Sequence, residues 1–222
     1  MPPIPMTEFT LSLEMANLKM DQYSFDLVSN DLPASTILIP ACIYGDGHCL
    51  PRCASVLAYG SQEHYLEMRL GIILELVINQ AYYLQNDSYS HGASHENHHS
   101  NFTTTFALFS DLYFDQHLTT TAIQRLFEEE VMAIRSEGSY MGVWQLASLA
   151  NILGRPVMSV YPLYGGKTVR SDLHRIFYPQ VVQQEERGYI MWTNTHGDSV
   201  PEIHWRPNHF VVLLPVSSGV NR

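Results

Sequence analysis

Basic residues are scarce in this chain. Twelve Lys and Arg stand against 22 Asp and Glu among 222 residues, a formal net charge of −10. A surface that tracks phosphates needs a basic excess, so nucleic acid is not the expected partner, whereas an acidic surface suits a basic one. Charged residues of both signs make up only 15% of the chain, against 45% hydrophobic and 11% aromatic residues. That balance excludes disorder over most of its length. Cysteine is also sparse: Cys42, Cys49 and Cys53 are the only three, close together and without a CxxC pair. They form no disulfide framework, and a reducing compartment, cytoplasmic or nuclear, is the expectation. No apolar stretch reaches the about 18 residues of a membrane span. The N-terminal MPPIPMTEFT has neither a basic region nor an apolar run, so no signal peptide and no membrane partner are expected.

What is present reads as one α+β (α/β-type) domain, a small central sheet flanked by helices, without internal repeats. Residues 1–35 form an N-terminal flank with a short helix expected near Leu11–Leu18, residues 36–216 the domain, and 217–222 a tail. TILIPACIYG reads as a buried strand running into the loop GDGHC. LPRCASVLAYG follows as a helix stopped by Gly60. Ser61 is a candidate N-cap for a longer helix, along which Leu66, Leu70, Ile73, Leu74 and Val77 make one apolar stripe. NDSYSHGASHENHHSNFTTT reads as a long surface loop. AIQRLFEEEVMAI and VWQLASLANILG read as helices, the second ended by Gly154 and Pro156. PVMSVYPLYG, YIMWTN and HFVVLLP read as strands.

Chemistry concentrates in Gly45-Asp46-Gly47-His48-Cys49, where a glycine-rich loop turns into a helix. The free N–H groups of that helix's first turn can stabilise a thiolate and a developing oxyanion. A thiol nucleophile also needs an imidazole to take its proton and return it to the leaving group. Among eleven histidines, His209 stands out because it opens an apolar strand, from whose edge a side chain can project.

These residues together resemble the ovarian-tumour (OTU) family of cysteine deubiquitinases, whose nucleophile loop is Asp-Gly-x-Cys, here Asp46-Gly47-His48-Cys49. Other blocks similar to that family are Leu50-Pro51-Arg52 with the helix beyond, His64 and Arg69 in HYLEMR, Tyr140 to Trp144 with LASLANILGRPV, and Asn208-His209-Phe210. They keep family order over roughly residues 36–215. Within the family, NQAYYLQN, VWQLASLANILGRPVMSVYP and YIMW resemble the vertnin-like subgroup.

The resemblance implies an OTU-like cysteine protease fold and hydrolysis of isopeptide bonds in ubiquitin or polyubiquitin. Cys49 would be the nucleophile, His209 the base, and Asp46 the residue holding the oxyanion loop. A third member two residues after the histidine would fall on Val211, which cannot orient an imidazole. Asn208 is the candidate in its place, although a regular strand points it to the opposite face. Asp26, Asn30 or Asp31, ahead of the cysteine, are alternatives, as is a plain Cys/His dyad. Two other functions remain open: a catalytically silent interaction module, and a protease for another ubiquitin-like modifier.

The remaining features have plainer readings. His91, His95, His98 and His99 lie in a Ser/Asn-rich loop without a regular ligand spacing, so no metal and no cofactor are expected. Cys42 and Cys53 read as structural, and Glu128-Glu129-Glu130 as a solvated helix face. Of the three tryptophans, Trp205 is the best placed to line a cleft.

Overall fold

The structure is a computed structural model that describes residues 18–28, 37–85, 90–92, 102–114, 117–196 and 205–216. Six strands form one mixed sheet: β1 (Ile37–Ala41), β2 (Ser90–Gly92), β3 (Val157–Val160), β4 (Arg175–Phe177), β5 (Gly188–Thr193) and β6 (His209–Val216). Their order is β1-β6-β5-β3-β4-β2. Only β3 and β5 run parallel, and every other pairing is antiparallel. β6 lies between β1 and β5, and Phe210 to Leu214 are fully buried along it. A strand covered on both faces has no polar side, which is why HFVVLLP reads as an unbroken apolar run.

Eight helices surround the sheet among the described residues: α1 (Gln22–Leu27), α2 (Cys49–Tyr59), α3 (Tyr65–Ile78), α4 (Gln80–Gln85), α5 (Phe102–Leu108), α6 (Thr120–Ala133), α7 (Val143–Leu153) and α8 (Lys167–Leu173). α2 packs directly on β6 and is buried at every position but Tyr59. α3 packs on both α2 and α7. Gly60 and Gly154 close α2 and α7 in the left-handed conformation, as their places in the sequence imply.

The structure departs from the sequence reading in several places, and one expectation lies outside the residues it describes. The helix expected at Leu11–Leu18 falls almost wholly outside the described residues. A short helix, α1, instead lies at Gln22–Leu27, capped by Asp21, whose side chain accepts from the Ser24 N–H. α1 is no detached flank, because Ser24 is buried and its hydroxyl lies 2.8 Å from that of Thr193 in β5. Ser61 does not begin α3; residues 61–64 form turns, and α3 starts at Tyr65. The segment read as one surface loop contains β2 at the sheet edge and leads into α5. Arg175 on β4 lies 4.0 Å from the Phe102 ring centroid and ties α5 to the sheet.

Of the apolar stripe expected on α3, Ile73 packs against the core and the other four residues do not face it. Met68, Arg69, Ile72 and Leu76 point inward. Leu66, Leu70, Leu74 and Val77 are each about half exposed or more, and Ile78 is 74% exposed. The helix is apolar nearly all round, so periodicity alone cannot choose the buried side. Glu130 also departs from its reading, for it turns inward and accepts from Gln145 at 3.0 Å.

Candidate active site

Cys49 is the first residue of α2, and its sulfur faces backbone N–H groups of Phe210, Leu50 and Cys49 itself. β1 ends at Ala41, opposite Val212, so the chain has already left the sheet edge where Phe210 follows His209. The thiol is only 4% exposed. Burial pushes it up to about 11, outweighing the stabilisation that the N–H groups give a thiolate. Cys53, one turn along the helix, is fully buried, and burial pushes its thiol well up too, as for a structural thiol.

The loop before Cys49 is held from several directions. Asp46 accepts from the His48 N–H at 3.1 Å and takes the Arg52 guanidinium in a fork, Nε at 3.1 Å and Nη2 at 2.6 Å. The Arg52 fork, then the His48 N–H, hold the Asp46 carboxyl below the usual range. The His48 N–H is thereby taken, whereas the Cys49 N–H faces its own sulfur. Arg52 also lies over Tyr65, 3.9 Å from the ring centroid.

Gly47 has φ +81°, and a Cβ there would fall 2.2 Å from the Gly138 carbonyl oxygen. Two backbone segments thus meet at a distance that only glycine permits. Arg69, 5% exposed, binds the same junction: Nε donates to the Ile134 carbonyl at 3.0 Å and Nη2 to that of Ser136 at 2.6 Å. Its Nη1 lies 3.2 Å from His48 Nδ1. An arginine has no acceptor, so His48 Nδ1 accepts and its proton resides on Nε2, which faces Glu137 at 3.8 Å. Burial, then Arg69, lower the His48 pKa. His64, by contrast, lies at the surface beside Glu67 at 3.3 Å.

His209 opens β6 and is 6% exposed. Its Nε2 lies 3.1 Å from the carbonyl oxygen of Ile43. A carbonyl only accepts, so Nε2 carries the proton and the neutral ring presents an unprotonated Nδ1. Burial lowers the His209 pKa, against the opposing effects of the Ile43 carbonyl, Asp21 and Asp46. No hydrogen bond links Cys49 to His209 in this arrangement.

Asn208 does not reach the imidazole. Its side chain is exposed and paired with Thr195, Oδ1 accepting from the Thr195 N–H at 2.9 Å and Nδ2 donating to its hydroxyl at 3.0 Å. Val211 is core. Asp26 accepts from Gln22 at the surface, and Asn30 and Asp31 lie outside the described residues. The acids ahead of the cysteine that do bear on His209 are Asp21 and Asp46, through their charge. Gly138 and the Ile43 carbonyl escaped the sequence reading. Gly138 has no local signature, whereas Arg69 was visible as part of HYLEMR without its targets.

Beside the site lies a cavity of about 600 Å³ whose walls include Tyr140, Tyr161, Trp192, Trp205, Glu130 and Pro207. Trp205 lines it, as expected, and donates to the Tyr23 hydroxyl at 3.0 Å. The buried Tyr140 hydroxyl has no hydrogen-bond partner among the described residues, and its ring stacks on Phe210 at 5.8 Å between centroids. His91 is on β2, while His95, His98 and His99 lie outside the described residues. No group of three or more metal-ligating side chains gathers among the described residues. No helix among them is long and apolar enough to cross a membrane.

The family described as "Vertnin, OTU domain" matches residues 40–193, a span that takes in the end of β1, the Cys49 loop and β2 to β5 and stops before β6. The chain belongs to this family. Vertnin of Danio rerio is 27% identical over 202 residues, covering 89% of this chain and 28% of the relative. Vertnin of Homo sapiens is 26% identical over 199 residues, covering 89% and 26%. This vertnin-type OTU domain therefore spans little more than a quarter of the length of those relatives. Among solved structures, the OTU domain of OTUD1 aligns with a TM-score of 0.43 and 16% identity, covering 79% of this chain and 85% of that one.

Proposed function

We propose that this OTU domain is a thiol-dependent isopeptidase acting on ubiquitin or ubiquitin chains. The observation that carries the reading is the hydrogen bond from His209 Nε2 to the Ile43 carbonyl. It leaves Nδ1 as the basic nitrogen and supplies from the main chain the orienting acceptor that Asn208 and Val211 do not provide. A Cys/His pair held in this way needs no third side chain.

The chemistry runs in two halves. The Cys49 thiol gives its proton to His209 Nδ1 as the sulfur attacks the carbonyl carbon of the modifier's C-terminal glycine. The oxyanion forms against the Cys49 N–H at the start of α2, which the sulfur gives up as it bonds to carbon. Collapse breaks the C–N bond, and the imidazolium returns its proton to the departing lysine amine. Water, deprotonated by the same imidazole, then hydrolyses the thioester and releases the thiol. At rest the pair is a neutral thiol near a neutral imidazole, and burial favours both neutral forms. Asp46 and Arg52 hold the loop throughout.

A second reading, a catalytically silent interaction module, is favoured by one observation: Cys49 is buried and makes no hydrogen bond to His209. The experiment that separates the two is reaction with ubiquitin bearing a C-terminal propargyl warhead. Wild type should form an adduct, Cys49→Ala none, and His209→Ala should react more slowly by on the order of 100-fold at pH 7. The pH dependence carries the mechanism. Burial lowers His209, so the wild-type rate stays level through neutral pH and falls only in acid below the usual imidazole range. His209→Ala, lacking the base, should instead rise about tenfold per pH unit toward the thiol's own ionisation. A folded protein that forms no adduct and cleaves no diubiquitin linkage overturns the isopeptidase reading for ubiquitin. The same warhead on other modifiers then tests the third function.

A further inference from the structure

We propose that the outward face of α3 pairs with the same face of a second copy of this chain, in antiparallel orientation about a two-fold axis near Leu74. Leu70, Leu74 and Val77 follow one another at spacings of four and three, with Leu66 and Ile78 flanking them. All five side chains are between 49% and 74% exposed. Spacings of four and three are those at which helix side chains form a continuous seam for another helix. The 14-residue helix is about 21 Å long, so one such seam covers most of its length.

Area and charge both select the occupant. Five half-exposed aliphatic side chains present roughly 500 Å² of apolar surface, at the upper end of what a monomer usually leaves bare. Two such faces bury about 1,000 Å², the lower bound of a specific interface. From Leu70 to Ala81 the outward positions carry no charge, so nothing along the seam would select a charged partner. Its outward acids, Glu63 and Glu67, lie at the N-terminal end, and residues 61–85 contain no Lys and one Arg, the buried Arg69. That arrangement disfavours an anionic lipid surface, which attracts helices through basic residues. In a parallel pair, Glu67 would oppose Glu67. In an antiparallel pair, Glu67 is carried away from its own copy toward Ala81 of the other, where the Glu128 carboxylate accepts from Gln80 and Gln124, each at 2.9 Å. A two-fold axis needs only this one self-complementary patch.

Sedimentation equilibrium of the chain from roughly 1 to 200 µM tests the pairing. A small apolar interface predicts a monomer–dimer equilibrium within that range. Leu70→Glu and Leu74→Glu, at exposed positions that leave the fold intact, should each weaken association by at least about 30-fold with an unchanged melting temperature. Under mild oxidation Leu74→Cys should form a disulfide-linked dimer and Glu63→Cys should not, with the unaltered chain as control. A monomer throughout the range overturns the proposal, and so does a dimer indifferent to both glutamates. Equal cross-linking at positions 63 and 74 overturns the antiparallel arrangement. None of these readouts depends on catalysis, so they fail or succeed independently of the isopeptidase reading.

Discussion

Cys49 and His209 are held in place by different means. The loop before Cys49 is locked by side chains and by a glycine contact: Asp46 with Arg52, Arg69 with three carbonyls of the 134–139 segment, and Gly47 against Gly138. His209 depends on its place in β6 and on one hydrogen bond to a main-chain carbonyl. The position of the proposed nucleophile is therefore sensitive to substitution at many sites, whereas that of the proposed base is sensitive to few besides itself.

Three substitutions break or sharpen this contrast. The largest effect should come from Gly47→Ala. A methyl 2.2 Å from the Gly138 oxygen at a positive φ cannot be accommodated without moving a backbone segment. A loss of about 3 kcal/mol or more is expected, read as a lowered midpoint in urea unfolding, with the warhead reaction lost even where the protein stays folded. Arg69→Met should cost about 2–4 kcal/mol, because it leaves the carbonyls of Ile134 and Ser136 without their buried donor. Its warhead rate should fall together with its stability, since the Gly47–His48 turn loses its anchor. Asn208→Ala is the smallest. Its side chain engages only Thr195, so the rate at pH 7 should stay within about twofold of wild type. A loss near 100-fold there would return the third role to Asn208 and remove it from Ile43.

Much of the fold was legible in the sequence because it rests on local signals. The strands at PVMSV, YIMWT and HFVVLL, the helix after Cys49, and the stops at Gly60 and Gly154 each follow from pattern or backbone preference within a few residues. α8 and β4 escaped notice because seven and three residues are too few to show a period. On α3 the hydrophobic pattern was present but its direction was not, since the buried side is set by where α2 and α7 lie. Asp46, Cys49 and His209 were legible from residue type, loop chemistry and a family resemblance. What orients His209 was not, because a carbonyl is common to every residue and only the end of β1 brings that of Ile43 to the ring.

An acceptor of this kind has no codon. Substitutions at position 43 exchange the side chain and leave the oxygen, so a point mutation that erases it directly does not exist. Only a shift in the path of the chain beyond Ala41 can remove it. A lineage carrying this arrangement can lose its cysteine or its histidine in one step, but the group that sets the histidine's tautomer is inherited with the fold itself. Searches that look for a third conserved side chain would score such a protein as incomplete.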